Sequence, residues 1–359
     1  MLRALGIETS CDESAVAVLD GDGRVEASFL SSQIAAHAPF GGVVPELASR
    51  EHLKALPFLV ERALEAARGA VELVAVTAGP GLIGALLVGV RFAAALAWGR
   101  RLPLVAVDHL EGHLVSPLLS LDGEPARPEP ERVLALVASG GHSAWYVMEN
   151  GGRRRLGRTR DDAAGESFDK VAKILGLSYP GGPMIDRLAR LGNPSAVPLP
   201  RPRLKDAPHD FSFSGLKSAA IRWVGERGLA GTGAMTAEPP AAVVDLAASF
   251  EAAVVEQLLA PLPELATRYR PSLVTASGGV AANTLLRQRL KEWGRESGVE
   301  VLLPAPALTT DNGSMIAHAG QLAYGRGQWA NPCRLDAHGR EVWQPPGMRK
   351  ISGRASGLK

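Results

Sequence analysis

A pattern of short apolar runs and tight turns occurs twice in this sequence, and it constrains the fold more than any other feature. Residues 2–19 form two apolar runs separated by a polar turn, and strong turn residues follow at 20–23. The same order returns at 132–147 and is closed by turn residues at 149–152. Such runs, bounded by Gly, Asp, Asn and Ser, are typical of β-hairpins. The chain is therefore predicted to contain two similar hairpins.

A second pair of matching segments follows the hairpins. Residues 72–82 read as a strand, the turn Ala-Gly-Pro-Gly and the start of a helix, and residues 272–283 repeat this order with Ser-Gly-Gly. The free backbone N–H groups at such a helix start favour an anion. Two units in the same order in each half predict an internal duplication, with two α/β lobes that face each other and hold a nucleotide between them. This is the plan of the actin-like or RNase H-like (ASKHA) superfamily of actin, sugar kinases and Hsp70.

The length of 359 residues also favours two lobes, because it exceeds what one hydrophobic core usually serves. The Pro-rich loop at 122–130 is the best boundary. We expect an N-terminal lobe at 1–125, a C-terminal lobe at 126–330 and a basic tail at 331–359. A helix is predicted from Pro45 to Ala67, with one stripe of core residues at helical spacing: Leu47, Leu53, Leu56, Leu59, Val60 and Leu64.

Composition limits the class of protein. The net charge of +2 neither requires nor excludes nucleic acid, and the two cysteines, Cys11 and Cys333, exclude a disulfide framework or a four-cysteine zinc site. The N-terminus lacks a signal-peptide pattern. The longest apolar run, 84–98, is interrupted by Arg91 and is too short to span a bilayer. We expect a buried helix there and a cytoplasmic protein.

Two histidines four residues apart, His109 and His113, would lie on one face of a helix. Such a pair supplies two ligands of a metal site, although surface or capping histidines would show the same spacing. A zinc-protease helix is excluded because it requires Glu directly after the first histidine, where Leu110 stands; Glu111 is at the wrong offset.

A third ligand has one candidate late in the chain. Asp311 and Asn312 precede a helix predicted at 314–323, where Asp and Asn are ordinarily N-caps. The alternative is that Asp311 completes the metal site. Two histidines and a carboxylate with open positions suit iron or zinc acting as a Lewis acid.

Several other motifs have both a functional and an ordinary interpretation. Asp169 and Lys170 lie on a helix predicted at 161–177, where a surface charge pair is the simpler explanation. Residues 179–183 form a glycine turn that lets a ligand approach the backbone. Residues 211–217 alternate aromatic residues and serine, which predicts a strand with one buried face. Five arginines between 153 and 160 are typical either of a solvated hairpin or of a phosphate-binding surface.

Taken together, the ordered motifs resemble the universal tRNA threonylcarbamoyladenosine transferase family, whose bacterial members are the TsaD type. The resemblance covers about residues 1–330 and rests on eight motifs: 5–13, 108–113, 139–142, 161–170, 179–183, 211–217, 277–283 and 310–312.

The resemblance implies site residues. The metal ligands would be His109, His113 and Asp311, with Fe²⁺ as the metal and Zn²⁺ as an alternative. The substrate residues would be a phosphate loop and four positions for the nucleoside: Val137, Ala138, Ser139, Gly140, Gly141, Asp169, Gly182, Asp186 and Asn283. Val137-Ala138 departs from the more frequent Leu-Val or Val-Val of the family. Glu13 and His142 are polar candidates for a catalytic role, as hypotheses.

The implied reaction transfers threonylcarbamoyl from threonylcarbamoyl-AMP to N6 of adenosine 37 in tRNAs that read ANN codons, releasing AMP. The implied partners are tRNA, a non-catalytic TsaB-like paralogue and a small TsaE-like P-loop ATPase, with no membrane. Two alternatives remain. An actin-like ATPase or sugar kinase normally has Asp on the first hairpin, where this chain has Glu8-Thr9-Ser10. The scaffold paralogue lacks the metal histidines.

Overall fold

The computed structural model describes residues 1–233 and 239–340 and the backbone of 348–350. The chain folds into two compact units. Unit 1 contains Met1–Glu129 and Asp311–Lys359, and unit 2 contains Pro130–Thr310. The chain therefore first passes from unit 1 to unit 2 in the 122–130 loop, next to the predicted boundary. The expectation that 126–330 forms one lobe differs from this division, because the chain returns to unit 1 at Asp311.

The first part of unit 1 contains the predicted hairpin and the predicted strand–glycine–helix segment. Its elements are β1 (Ala4–Glu8), β2 (Glu13–Leu19), β3 (Val25–Ser32), α1 (Ile34–His37), α2 (Pro45–Ala66), β4 (Leu73–Gly79), α3 (Ile83–Arg100), β5 (Leu104–Asp108) and α4 (His109–Val115).

Unit 2 repeats the order of a hairpin followed by a strand, a glycine turn and a helix. Its elements are β6 (Arg132–Ala138), β7 (Ser143–Glu149), β8 (Gly152–Arg158), α5 (Ala164–Ile174), α6 (Gly181–Ala189), α7 (Ser214–Glu226), α8 (Ala241–Leu259), α9 (Leu262–Tyr269), β9 (Leu273–Ser277), α10 (Thr284–Ser297) and β10 (Glu300–Leu302). The chain then returns to unit 1 with α11 (Gly313–Gly325), β11 (Gln328–Ala330) and β12 (Met348–Lys350).

The predicted duplication is confirmed by the sheets. The sheet of unit 1 has the order β12-β11-β5-β4-β1-β2-β3, and that of unit 2 has the order β10-β9-β6-β7-β8. In both, three antiparallel strands are followed by two strands that continue parallel to the first. Because the carboxyl ends of parallel strands meet at one edge of a sheet, each unit collects polar turns there.

Helix α2 follows its prediction closely but not in every position. Leu56, Leu59 and Val60 are buried, whereas Leu53 is 62% exposed. The neighbouring His52 is buried instead, and its Nε2 lies 2.9 Å from the carbonyl oxygen of Cys11. The expectation that Leu53 packs in the core is wrong because this part of α2 faces the polar turn between β1 and β2.

Helix α3 is long and apolar enough to cross a membrane by length and composition, and no other helix in the described ranges is. Its buried residues include Val90, Ala93 and Ala97, which belong to the hydrophobic core cluster that also contains Leu5 of β1. One side of the helix therefore packs in the core, in agreement with the expected buried helix, although its 18 residues exceed the apolar run 84–98 on which that expectation rested.

The segment at 211–217 differs from the predicted strand. Phe211 forms a single bridge with Thr159, and α7 already begins at Ser214. The hydroxyls of Ser212 and Ser214 each donate to Asp161 at 2.7 Å, and the backbone N–H of Phe213 donates to the same carboxylate at 2.8 Å. These bonds replace a strand ladder. The two phenylalanines are buried, so the expected packing role is correct.

Part of the predicted tail packs on unit 1. The carbonyl oxygen of Leu335 accepts a hydrogen bond from Arg91 at 2.9 Å, and the N–H of His338 donates to the carbonyl of Ala78 at 2.9 Å. The side chain of Leu335 is fully buried. The basic residues Arg354 and Lys359 lie outside the described residues.

Helix α11 lies unusually close to the sheet of unit 1. A Cβ atom at Gly6 would stand 2.2 Å from the carbonyl oxygen of Gly313, and one at Gly313 would stand 2.5 Å from the backbone N of Ala17. Both contacts are with backbone, which cannot move aside as a side chain can. This approach holds the start of α11 against β1 and β2.

We predict that Gly6→Ala destabilises the protein by about 1–3 kcal/mol, because the added methyl forces α11 away from β1. Thermal or denaturant unfolding measures the change. The matched control is Gly99→Ala in α3, where an added Cβ meets nothing within 4 Å and helix propensity favours alanine. Equal stability of the two variants would contradict the close packing.

Candidate metal centre

The two histidines lie at the start of α4, directly after β5. The carboxylate of Asp108 caps the helix by accepting the N–H of Leu110 at 2.8 Å. The predicted helix is therefore confirmed, and it places the rings of His109 and His113 on one face with their centroids 4.6 Å apart. Both side chains are buried.

In the turn before α11, the helix-capping role and the metal-ligand role fall to different residues. Asn312 is the N-cap, because its side-chain oxygen accepts the N–H of Met315 at 2.8 Å. Asp311 instead faces the histidines. Its Oδ1 lies 3.4 Å from Nε2 of His109 and 3.2 Å from Nε2 of His113. All three residues belong to unit 1, so Asp311 does not lie in a different lobe from the histidines, as the expected lobes 1–125 and 126–330 implied.

The cluster fits a metal ion by geometry and by donor type. Potential ligand atoms of His109, His113 and Asp311 all lie within 4.8 Å of one another. Ligands bound at about 2.0–2.2 Å in a tetrahedral site stand roughly 3.4 Å apart, close to the two His–Asp distances. Within the described part of the chain, Nδ1 of His113 has no hydrogen-bond partner and Nε2 has only the contact with Asp311, although the residue is 1% exposed. A metal ligand role accounts for this buried polar group.

Glu8, at the end of β1, contacts the ring nitrogen of His109 that does not face Asp311. Its Oε2 lies 3.1 Å from Nδ1 of His109 and accepts the hydroxyl of Thr77 at 2.6 Å. Its Oε1 accepts the N–H of Ser10. A carboxylate on Nδ1 favours the tautomer that leaves Nε2 free for a metal, and it makes the ligand more basic.

Glu8 was not among the metal-site residues predicted from the sequence. The sequence feature that could have indicated its role is the position of Glu8 at the carboxyl end of a predicted strand. The strands β1, β4 and β5 are parallel neighbours, so polar residues at or near their ends, Glu8, Thr77 and Asp108, come to the same edge.

The electrostatic environment holds a proton on His109. Burial by itself lowers the pKa of this imidazole, but the carboxylates of Asp311 and Glu8 outweigh burial and raise the pKa to about 9. The ring is therefore a cation at neutral pH when no metal is bound. A metal ion would replace the proton as the counter-charge of the two carboxylates.

Other groups of the turn between β1 and β2 experience the same negative field. Burial, followed by the charges of Asp311, Asp12 and Glu8, raises the pKa of Glu13 to about 8. Burial and the charges of Asp12 and Asp311 also raise the pKa of the Cys11 thiol far above its usual range. Cys11 is therefore a poor thiolate nucleophile, whereas Glu13 exchanges a proton near neutral pH.

The predicted phosphate loop lies in unit 2, at the turn between β6 and β7. The N–H of Ser139 donates to the carbonyl of His142 at 2.7 Å, and the N–H of His142 donates to the hydroxyl of Ser139 at 3.2 Å. Added Cβ atoms at Gly140 and Gly141 would meet nothing within 4 Å. The turn is therefore closed by Ser139 and leaves open space beside its two glycines, whereas Val137 and Ala138 are buried in β6.

The predicted nucleoside residues occupy two other places in unit 2. Asp169 accepts the N–H of Gly181 at 2.7 Å, which ties α5 to the start of α6. Beside it, a Cβ at Gly182 would meet nothing within 4 Å. Asp186 accepts the amide of Asn283 at 3.2 Å and the N–H of Thr284 at 2.8 Å.

Asn283 is almost fully engaged with its neighbours. Its side-chain oxygen caps α10 by accepting the N–H of Leu286 at 2.9 Å, and its amide also donates to Glu251 at 2.6 Å. Glu251 is a buried group absent from the sequence analysis. Burial is the main cause that raises its pKa, to about 7, with a further contribution from Asp186.

We predict that Glu8→Gln lowers metal affinity about 10- to 100-fold while the three ligands stay in place, because the carboxylate behind His109 is lost. Competition with a chromophoric chelator measures the affinity. Glu26→Gln is the matched control, since Glu26 is a well-buried glutamate that pairs with Arg3 at 2.9 Å. A Glu8→Gln variant with wild-type affinity would exclude the orienting role.

Metal uptake is predicted to depend on pH. His109 has a folded-state pKa of about 9, so metal binding at pH 7 releases its proton, and below pH 9 this group lowers affinity up to about tenfold per pH unit. Calorimetric titration in two buffers of different ionisation enthalpy counts the protons. Glu13→Gln removes a second group, also affected by the charge of Asp311, that titrates in this range. Metal binding by that variant without proton release at pH 7 would refute the prediction.

Comparison with known proteins agrees with these features. The family model described as TsaD, tRNA N6-adenosine threonylcarbamoyltransferase, matches residues 24–318. A protein of that name from Moorella thermoacetica is 47% identical over 93% of this chain and 95% of its own length. Another from Anaeromyxobacter sp. is 49% identical over 96% of this chain and 100% of its own length.

A solved structure supports the fold. HypF from T. kodakarensis superposes with a TM-score of 0.59 at 15% identity and covers 90% of this chain and 48% of that one. The two duplicated units thus have the predicted actin-like fold. Family match, full-length similarity and the His–His–Asp cluster lead to one conclusion: the chain belongs to the tRNA N6-adenosine threonylcarbamoyltransferase family.

Proposed function

We propose that this chain transfers the threonylcarbamoyl group of threonylcarbamoyl-AMP to N6 of adenosine 37 in ANN-decoding tRNAs, forming t6A and releasing AMP. The transferase activity on tRNA follows from membership of the family. The observation that best supports a catalytic role is the buried His109–His113–Asp311 cluster with Glu8 behind it. A scaffold without catalysis has no need for this arrangement.

For the metal centre, we propose that His109, His113 and Asp311 hold one divalent ion. Two histidines and one carboxylate are the ligand set of non-haem Fe²⁺ sites and also suit Zn²⁺, so iron is the proposed metal and zinc the alternative. When bound, such an ion supplies a Lewis acid that polarises an oxygen of the donor. Through its contact with Nδ1, Glu8 would leave Nε2 of His109 free to hold the ion and would offset part of the ion's charge.

The adenine amine is a weak nucleophile. The protein must therefore act mainly on the carbamoyl carbonyl of the donor and on the leaving group. The N6 nitrogen attacks the carbamoyl carbon, the bond to the AMP phosphate breaks, and N6 loses a proton. We propose that backbone N–H groups of the 138–142 hairpin bind the phosphate and stabilise the charge that develops there. The open space beside Gly140 and Gly141 is consistent with this role.

The nucleoside part of the donor would be held by Asp169, Gly182, Asp186 and Asn283. Carboxylates suit ribose hydroxyls, and Gly182 leaves room for the ligand. The amide of Asn283 already donates to Asp186 and Glu251. We therefore propose that Asn283 acts by orienting Asp186.

Two residues are candidates for the general base that accepts the proton from N6. A carboxyl with a pKa of about 8, such as Glu13, exchanges protons near neutral pH. His142 is half-buried in the Ser139 turn, and imidazole is the commonest side chain for proton transfer at this pH. We propose Glu13 or His142 as the base, in units 1 and 2 respectively.

The remaining proposals concern the cell. By resemblance to the family, the enzyme would work with a non-catalytic TsaB-like paralogue and a small TsaE-like P-loop ATPase, in the cytoplasm. Phosphoryl transfer to a sugar is less well supported, because Glu8, in the position of the usual aspartate, is engaged with His109, Thr77 and Ser10.

A depletion strain tests the function directly. Loss of the chain is expected to deplete t6A in tRNA, and wild type is expected to restore it, as nucleoside mass spectrometry measures. His113→Ala is expected to restore little, because it removes a buried metal ligand, while the surface variant Glu51→Ala serves as a control. Unchanged t6A on depletion would refute the function, whereas full rescue by His113→Ala would refute only the metal role.

A further inference from the structure

The arginines between 153 and 160 fall into two groups with different surroundings. Arg153 is 8% exposed, and its guanidinium lies 5.9 Å from the ring centre of Tyr146. Arg154 lies 3.7 Å from Glu149 and donates to the hydroxyl of Tyr269 at 3.2 Å. These two arginines are occupied by contacts within unit 2.

The other three arginines line one open recess. Arg155, Arg158 and Arg160 are exposed and surround a cavity of about 210 Å³ with Leu156, Gly157 and Asp210. The recess lies along β8, the edge strand of the sheet of unit 2. Three arginines and one aspartate leave a formal charge of +2 here, as much as the whole chain carries. The recess is therefore a local patch of net positive charge.

The recess has a fixed backbone. Asp210 accepts the N–H of Arg158 at 2.9 Å and pairs with the side chain of Arg160. Phe211 donates to the carbonyl of Arg158 at 2.9 Å and accepts the N–H of Arg160 at 3.0 Å. A Cβ at Gly157 would stand 2.0 Å from the carbonyl oxygen of His209, so glycine is required for this crossing. The arginines are therefore carried on a preorganised segment.

The charge and shape of the recess indicate an extended polyanion. Arg158 is the last residue of β8, and Arg160 follows it two residues later; both line the same recess. Guanidinium binds phosphate oxygens through paired N–H groups. In the described part of the chain, the guanidinium of Arg158 has no hydrogen-bond or ion-pair partner and is available for such a contact.

We propose that Arg155, Arg158 and Arg160 form a binding surface for the phosphate backbone of the tRNA substrate. The surface would position the tRNA without reading its sequence, since phosphate contacts carry no base information. This inference rests on the proposed function, which supplies the polyanion. It adds a site in unit 2 made of residues other than the proposed donor-binding residues of that unit.

Binding of an unmodified tRNA transcript to the full-length chain tests the surface. We expect Arg158→Gln to weaken binding about threefold to tenfold at about 0.1 M salt and to reduce the slope of log affinity against log salt by about 1. Arg158→Lys should keep most of that slope because it keeps the charge. Fluorescence anisotropy between about 50 and 200 mM salt measures both quantities.

Arg154→Gln is the matched control, because it removes the same charge from the same strand but from a residue paired with Glu149. The proposal is overturned if Arg158→Gln binds as wild type does, if Arg154→Gln weakens binding equally, or if the wild-type chain shows no salt-dependent tRNA binding. Rescue of t6A by wild type in the depletion strain separates these outcomes from failure of the function itself. Thermal unfolding of each variant verifies that the fold is intact.

Discussion

The close packing of α11 on β1 and β2 is the constraint on which the metal centre depends. Gly6 and Gly313 let two backbones approach to a distance that any side chain would prevent. Asp311 stands two residues before α11, so the same contact that seats the helix also brings this carboxylate to the histidines. A ligand from the far end of the sequence thus joins His109 and His113 through helix packing.

The histidine side of the centre depends on the sheet. Because β1, β4 and β5 run parallel, Glu8, Thr77 and the residues after Asp108 come to one edge. Hydrogen bonds among these residues hold the ring of His109 in one orientation. When no metal is present, burial and nearby carboxylates raise the pKa of Glu13, and the carboxylates of Asp311 and Glu8 outweigh burial to raise that of His109. The centre is therefore a region of excess negative charge that a proton or a cation must offset.

Much of the fold could be predicted because its signals are local. Hairpins followed by glycine turns and helices recur in each half, and the helix that carries His109 and His113 begins with ordinary capping chemistry. The predictions that differed concern contacts between distant segments. Residues 211–217 have the alternation of a strand, but Asp161 takes their hydrogen bonds. Leu53 has helical core spacing, but His52 faces the polar turn instead.

The sequence by itself determined the duplicated plan, the candidate ligands and the resemblance to the family, because periodicity, turn residues and motif order can all be read along one chain. Only the tertiary structure decided that Asp311 belongs to unit 1, that Asn312 is the helix cap, and that Glu8 supports His109. It also separated Arg155, Arg158 and Arg160 from the two arginines engaged in packing. The physical reason is that strand order, helix packing and burial decide which distant polar groups meet, and these depend on contacts between segments far apart in the sequence.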